Sequence, residues 1–195
     1  MLTICVYCAS RERIDQHYVD LARAVGDELA RRGHALVSGG GSVSCMGAVA
    51  RAARAGGAYT VGVIPRGLEA REVADTDADE LIVTTDMRDR KAEMDRRSDA
   101  FLALPGGIGT IEEIFDAWVS RSLGMHDKPV VVLDPDGVYD LLRAQIDDLV
   151  TRGFARAAAR DALVWTTTLG EAFDALESRP AAFAPTVGEV LEAQP

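Results

Sequence analysis

Leu104-Pro105-Gly106-Gly107-Ile108-Gly109-Thr110-Ile111-Glu112-Glu113 joins an apolar strand to an amphipathic helix. The run Ala100-Phe101-Leu102-Ala103-Leu104 is short, apolar and stopped by Pro105, whereas Ile111, Ile114, Phe115 and Trp118 recur at helical spacing as far as Leu123-Gly124. Glycines at the joint let backbone N–H groups approach a ligand, and the helix that follows adds the positive end of its dipole, a combination suited to an anion such as phosphate. An ordinary turn accounts for the same residues. Pro-Gly is common turn chemistry, and Thr110-x-x-Glu113 reads as a capping box, with Thr110 as N-cap and Glu113 reaching back to its backbone N–H. One glycine-rich turn does not choose between these readings, so the rest of the chain has to.

Working outward, strands alternate with helices. Residues 2–8 form an apolar strand ending at Cys8-Ala9-Ser10. A helix follows from about Asp15 to Arg32, with Tyr18, Leu21, Ala22, Val25 and Leu29 as its buried stripe. Ala35-Leu36-Val37 is a second strand. It runs into a second glycine loop, Ser38-Gly39-Gly40-Gly41-Ser42, and a small-residue helix from Met46 to Ala55. Val61–Pro65, Leu81–Val83, Pro129–Leu133 and Leu163–Trp165 are further strands, with helices at about Val138–Thr151 and Leu169–Glu177. That order predicts a single α/β domain over 1–179, with a parallel sheet covered on both faces and ligands at the carboxyl ends of its strands; the Ala- and Pro-rich tail 180–195 is expected to be loosely held.

The second glycine loop matches neither common nucleotide fingerprint. Ser44 stands where a dinucleotide-binding G-x-G-x-x-G wants its third glycine, and no Gly-Lys-Ser/Thr follows as a P-loop requires. Hydride transfer and nucleotide triphosphate hydrolysis are disfavoured.

Asp86 is placed to cap a helix Met87–Met94 in which Met87, Arg90, Lys91 and Met94 share one face. A charge on an apolar stripe either snorkels to water or meets an anion; snorkelling is the commoner outcome for a lysine, but it is less persuasive for two adjacent cations near glycine loops.

Composition sets the outer limits. A content of 48% hydrophobic and 27% charged residues is that of a globular domain, and no apolar run approaches the roughly 20 residues of a spanning helix. Met1-Leu2-Thr3-Ile4-Cys5-Val6-Tyr7 reads as a first strand and not as a signal peptide, so a cytoplasmic location is expected, with no membrane partner. A formal charge of −10 argues against nucleic acid, which needs many Lys/Arg–phosphate contacts, but leaves room for a small anion in a local pocket. Cys5, Cys8 and Cys45 make no disulfide framework. Cys5 and Cys8 are three apart on a strand and point to opposite faces, so no metal is expected.

Taken together, Ser38-Gly39-Gly40-Gly41-Ser42-Val43, Met87-x-x-Arg90-Lys91, Pro105-Gly106-Gly107-x-Gly109-Thr110-x-x-Glu113 and Leu123-Gly124-x-His126-Asp127-Lys128-Pro129 resemble the Lonely Guy family of cytokinin riboside 5′-monophosphate phosphoribohydrolases. The similarity runs from about Ile4 to Phe154. It implies a Rossmann-like fold, a homodimer with sites near its interface, and hydrolysis of the N-glycosidic bond of an adenosine-type 5′-monophosphate to free base and ribose 5-phosphate, with no cofactor. The family's catalytic positions fall on Arg90 and Glu113. Substrate-binding positions fall on Glu72, Lys91 and the loop Gly106, Gly107, Ile108, Gly109, Thr110, Ile111 and Glu112; the glycine loop Gly39, Gly40, Gly41, Ser42 and the helix start at Met87 complete the expected site. The chain departs from the usual pattern at Cys8-Ala9-Ser10, at Ser44-Cys45 and at Val119-Ser120, which bears on base specificity more than on the bond broken.

Such sequences also carry a lysine decarboxylase label. That chemistry needs pyridoxal phosphate on a Schiff-base lysine, and this chain offers only Lys91 and Lys128. A nucleotide-binding sensor or carrier that keeps the loops without hydrolysis is the other alternative, and the presence of both Arg90 and Glu113 weighs against it.

Overall fold

The structure, a computed structural model, describes residues 1–69 and 73–178. Its strands are β1 (Thr3–Tyr7), β2 (Ala35–Ser38), β3 (Thr60–Pro65), β4 (Glu80–Thr84), β5 (Ala100–Ala103), β6 (Val130–Leu133) and β7 (Leu163–Thr166). Its α-helices are α1 (Gln16–Arg31), α2 (Ser44–Ala55), α3 (Met87–Arg96), α4 (Ile108–Ser122), α5 (Asp140–Thr151), α6 (Ala157–Asp161) and α7 (Leu169–Glu177). The expected tail 180–195 and Glu72 lie outside the described residues.

All strands run parallel in one sheet of order β4-β3-β2-β1-β5-β6-β7. Alternation along each strand builds two cores. Ile4 and Val6 face a layer with Val25 and Leu29 of α1, Val49 of α2 and Phe173 of α7. Cys5 and Tyr7 face the other layer, with Met94 of α3, Ile114 and Trp118 of α4, and Ile146 of α5. Strands buried on both faces explain the near-continuous apolar runs of β1, β5 and β6. Cys5 and Cys8 fall in opposite cores, as their spacing requires, and burial pushes both thiols up, away from metal- or redox-active forms. Helices α1 and α2 touch closely because Gly26 has no Cβ, which would come 2.4 Å from the Val49 carbonyl oxygen.

The chain winds one way from β1 through β2, β3 and β4, and the other way from β5 through β6 and β7. The reversal lies between β1 and β5, and a ligand crevice is expected just beyond the carboxyl ends of those two strands.

Two details correct the sequence reading. Asp86 caps α3 as expected, accepting from the N–H groups of Arg88 and Asp89 at 2.8 and 3.0 Å. Thr110 does not cap α4: the N-cap is Gly107, the helix begins at Ile108, and no side chain closes that end. The extended backbone of Gly107 starts the helix three residues early, which carries Thr110 inside the first turn and leaves Glu113 a turn beyond any capping position. The helix α6 carries no apolar period and was not foreseen; Trp118 Nε1 donates to its Ala159 carbonyl at 2.6 Å. Among the described residues no helix is long and apolar enough to cross a membrane.

Candidate active site

A cavity of about 650 Å³ opens where the topology places it, beyond β1 and β5. Cys8, Ala9, Ser10 and Arg11 line it from the end of β1, and Pro105 to Thr110 line it from the end of β5. Ile14 and Tyr18 from the start of α1, Met46 of α2, Leu68, Met87 and Val138 add apolar walls. That volume fits a nucleotide-sized ligand.

Arg90 and Glu113 meet in its wall. Both are buried, at 5% and 8% exposure, and Arg90 Nη1 lies 3.6 Å from Glu113 Oε1. The guanidinium is fixed on its other edges: Nε donates to the Val63 carbonyl at 3.1 Å and Nη2 to the Gly39 carbonyl at 3.2 Å. The anion that the inward stripe of α3 called for is thus a carboxylate of α4, the helix that follows β5. Removing one member of such a buried pair leaves the other uncompensated, typically at a cost of about 3–5 kcal/mol.

Space at the glycines divides them by role. A Cβ on Gly39 would fall 1.9 Å from Arg90 Nη2, and one on Gly106 would fall 2.2 Å from Thr110 Oγ1; both glycines make room for the protein's own side chains. A Cβ on Gly107 or Gly109 would meet nothing within 4 Å. These two leave the uncapped N-terminus of α4 open, where backbone N–H groups have no helical acceptor. The Tyr139 hydroxyl holds the loop from behind by donating to the Leu104 carbonyl at 3.0 Å.

The structure separates the remaining expected residues. Gly39, Met87, Gly106, Gly107, Ile108, Gly109, Thr110 and Glu112 line the cavity with Arg90 and Glu113. Gly40, Gly41 and Ser42 are outside its wall: Ser42 N donates to the Val73 carbonyl at 2.9 Å, Asp75 N donates to the Gly40 carbonyl at 2.8 Å, and Gly41 bridges Ala74. Ile111 is also outside it. Lys91 does not share the inward face with Arg90. Residues one apart on a helix diverge by about 100°, so its ammonium turns along α4, paired with Glu112 and, at 3.3 Å, with Asp116. Burial alone would lower its pKa; the two carboxylates overcome that and raise it.

Sequence reasoning missed the wall from Arg11 to Tyr18. No glycine marks it, and the available signal was positional: it follows the strand at the centre of the sheet.

With this geometry in view, the similarities to known proteins have structural content. A family model described as possible lysine decarboxylase matches residues 46–176. A cytokinin riboside 5′-monophosphate phosphoribohydrolase of Mycobacterium tuberculosis is 51% identical over 173 residues, covering 89% of this chain and 92% of the relative. One from Arabidopsis thaliana is 43% identical, covering 89% and 81%. The chain belongs to the Lonely Guy family. Among solved structures, a molybdenum cofactor carrier protein of Chlamydomonas reinhardtii superposes with a TM-score of 0.66 at 21% identity, over 91% of this chain and 96% of that one, which is likeness of fold.

The decarboxylase wording attached to the Lonely Guy family does not fit these residues. Lys91 is turned out of the cavity wall into its carboxylate pair. Lys128 precedes β6 at the opposite end of the sheet, its Nζ donating to the Asp95 carbonyl at 2.6 Å. No lysine among the described residues can reach a pyridoxal group in the cavity.

Proposed function

We propose that this protein hydrolyses the N-glycosidic bond of an adenosine-type nucleoside 5′-monophosphate, giving the free base and ribose 5-phosphate. The observation that carries this reading is the buried Arg90–Glu113 pair in the wall of a nucleotide-sized cavity, flanked by the open N-terminus of a 15-residue helix.

Breaking the bond between C1′ and the base nitrogen builds positive charge on C1′, as in glycoside hydrolysis. In the proposed complex Glu113 lies beneath that carbon, stabilises the charge and directs a water molecule at it. The water oxygen bonds to C1′, the C1′–N pair leaves with the base, and the proton released by the water is taken up by the departing base. Arg90 fixes the carboxylate. The 5′-phosphate rests on the N–H groups of α4 beside Gly107 and Gly109, which a bulkier residue would crowd. The apolar wall of Ile14, Tyr18, Met46 and Val138 receives the base.

The active form is proposed to be a homodimer. Val119, Leu123 and Met125 are exposed at the end of α4, and beside them Arg121, 6% exposed, has a buried Nη1 without a hydrogen-bond partner among the described residues. Desolvation lowers its pKa, with Asp127 opposing. A second copy laid on this face would cover the apolar residues and offer an acceptor.

Incubation of the protein with AMP and with isopentenyladenosine monophosphate, without added metal, followed by chromatography, tests the reaction. Free base and ribose 5-phosphate are expected from at least one. Binding of both with release from neither would return the protein to the carrier class.

A further inference from the structure

We propose that Arg11 supplies the positive charge that recognises the substrate's 5′-phosphate, and that Ser44 positions it. The inference deepens the reading above and depends on the ligand carrying a phosphate.

A phosphate of charge near −2 in a cavity needs a cation as well as backbone dipoles. Among the described residues the cavity wall holds two, Arg90 and Arg11. Arg90 is engaged: its Nε and Nη2 donate to the Val63 and Gly39 carbonyls, and its Nη1 is directed at Glu113. Lys91, the other cation expected to bind substrate, is outside the wall and held by Glu112 and Asp116. Arg11 is exposed to the cavity and makes no ion pair with any described residue. Its guanidinium is therefore the cation free to meet an incoming anion, and its planar fork suits two phosphate oxygens.

An arginine on an open loop is a poor recognition element unless its backbone is fixed, and here it is. The Ser44 hydroxyl donates to the Arg11 carbonyl at 2.6 Å, tying the β1–α1 loop to the first residue of α2 across 33 positions of sequence. Ser44 does this from a strained backbone, with φ of 52°, one of two non-glycine residues described at positive φ. A serine in this region is less stable than glycine by roughly 1–2 kcal/mol, and such strain persists where a side chain has a use for it. Glycine would relax the backbone and lose the tie. Two wall residues are linked by it: Ser44 precedes Cys45 and Met46, and Met46 lines the same cavity as Arg11.

The test titrates ribose 5-phosphate and adenine separately into the wild-type protein and into Arg11→Ala, Arg11→Lys and Ser44→Gly, by calorimetry. Neither ligand has a glycosidic bond to the base, so the result does not depend on turnover. Arg11→Ala is expected to weaken ribose 5-phosphate by about tenfold or more while adenine changes by less than about twofold. Arg11→Lys should recover part of the loss. Ser44→Gly should weaken ribose 5-phosphate alone by about three- to fivefold, with thermal stability equal to or above wild type, which a purely structural role for Ser44 would not give. Unchanged ribose 5-phosphate binding in Arg11→Ala, equal losses for both ligands, or no ribose 5-phosphate binding by the wild type would each overturn the assignment. If AMP is never hydrolysed but ribose 5-phosphate binding still depends on Arg11, the hydrolase reading falls and the phosphate assignment stands.

Discussion

Gly39 and Arg90 occupy one another's space: a Cβ on the glycine would stand 1.9 Å from Arg90 Nη2, and the same nitrogen donates to the Gly39 carbonyl at 3.2 Å. The glycine is thus part of the arginine's socket. Gly39→Ala must push the guanidinium off its carbonyls and away from Glu113. The expected result is a folded protein, destabilised by about 1–3 kcal/mol, with kcat reduced by about a hundredfold. Thermal melting and steady-state kinetics on AMP check both; near-normal turnover would show that Arg90 need not hold its observed place.

Glu113→Gln separates charge from shape. Since α4 is capped at Gly107, the glutamate supports no capping box, and the substitution does not touch the helix end. With Glu113 beneath C1′ as proposed, loss of its charge should lower kcat by about two orders of magnitude or more while ribose 5-phosphate binding persists. Retention of near-normal kcat would move the catalytic assignment to Glu112, the other carboxylate in the wall.

The phosphate should govern substrate choice. With the α4 N-terminus and Arg11 both addressed to it, kcat/KM for AMP is expected to exceed that for adenosine by about a hundredfold or more. Near-equal values would show that the anion site lies elsewhere.

Acid should loosen the packing of α7 against α1. Glu28 is held at about 2, below its ordinary 4.5, chiefly by the Arg31 hydrogen bond, with burial opposing and Arg32 assisting. Arg32 in turn bridges to Asp174 at 2.9 Å and Glu177 at 3.0 Å on α7. A carboxylate depressed in the folded state stabilises above its unfolded value, and that contribution fades as pH falls from 4.5 towards about 2. Glu28→Gln should therefore melt lower than wild type at neutral pH, by about 1 kcal/mol in stability, with the two curves converging near pH 2. A difference independent of pH would assign the effect to packing.

For the homodimer, Leu123→Glu combined with Met125→Glu places charge on exposed apolar positions without touching a core. Sedimentation is expected to report a dimer for the wild type and a monomer for the variant; a variant mass equal to that of a dimeric wild type would place the contact on another face, and a monomeric wild type would overturn the proposed homodimer.

The α/β order and the parts of the site at the ends of β2 and β5 were legible because two strong signals coincided: apolar strands too short to be anything else, and glycines at the carboxyl ends of those two. Residue types spoke less clearly about role. Gly39 was read as an opening for a ligand, yet it opens for Arg90. Gly40, Gly41 and Ser42 present the same pattern and are tied instead to 73–75. Lys91 was grouped with Arg90 by helical face, and the 100° between neighbours sent them to different partners. Thr110 and Glu113 fit the capping pattern in letters, but Gly107 could adopt the N-cap backbone first. The wall carrying Arg11 had no local signature, because what brings it to the cavity is the pairing of β1 with β5, nearly a hundred residues away.

That pairing sets when the site can exist during synthesis. Ile4 meets Leu36 on one side and Ala100 on the other. A nascent chain can join β1 to β2 and β3 soon after they emerge, but β1 keeps one edge unpaired until β5 arrives, and the Glu113 carboxylate follows later still. Until then Arg90 has its carbonyls without its counter-charge, and Arg11 faces no opposing wall. The half-made protein has no nucleotide site to occupy, so substrate cannot act as a template for the early stages. It can act only after β5 and the start of α4 have joined β1.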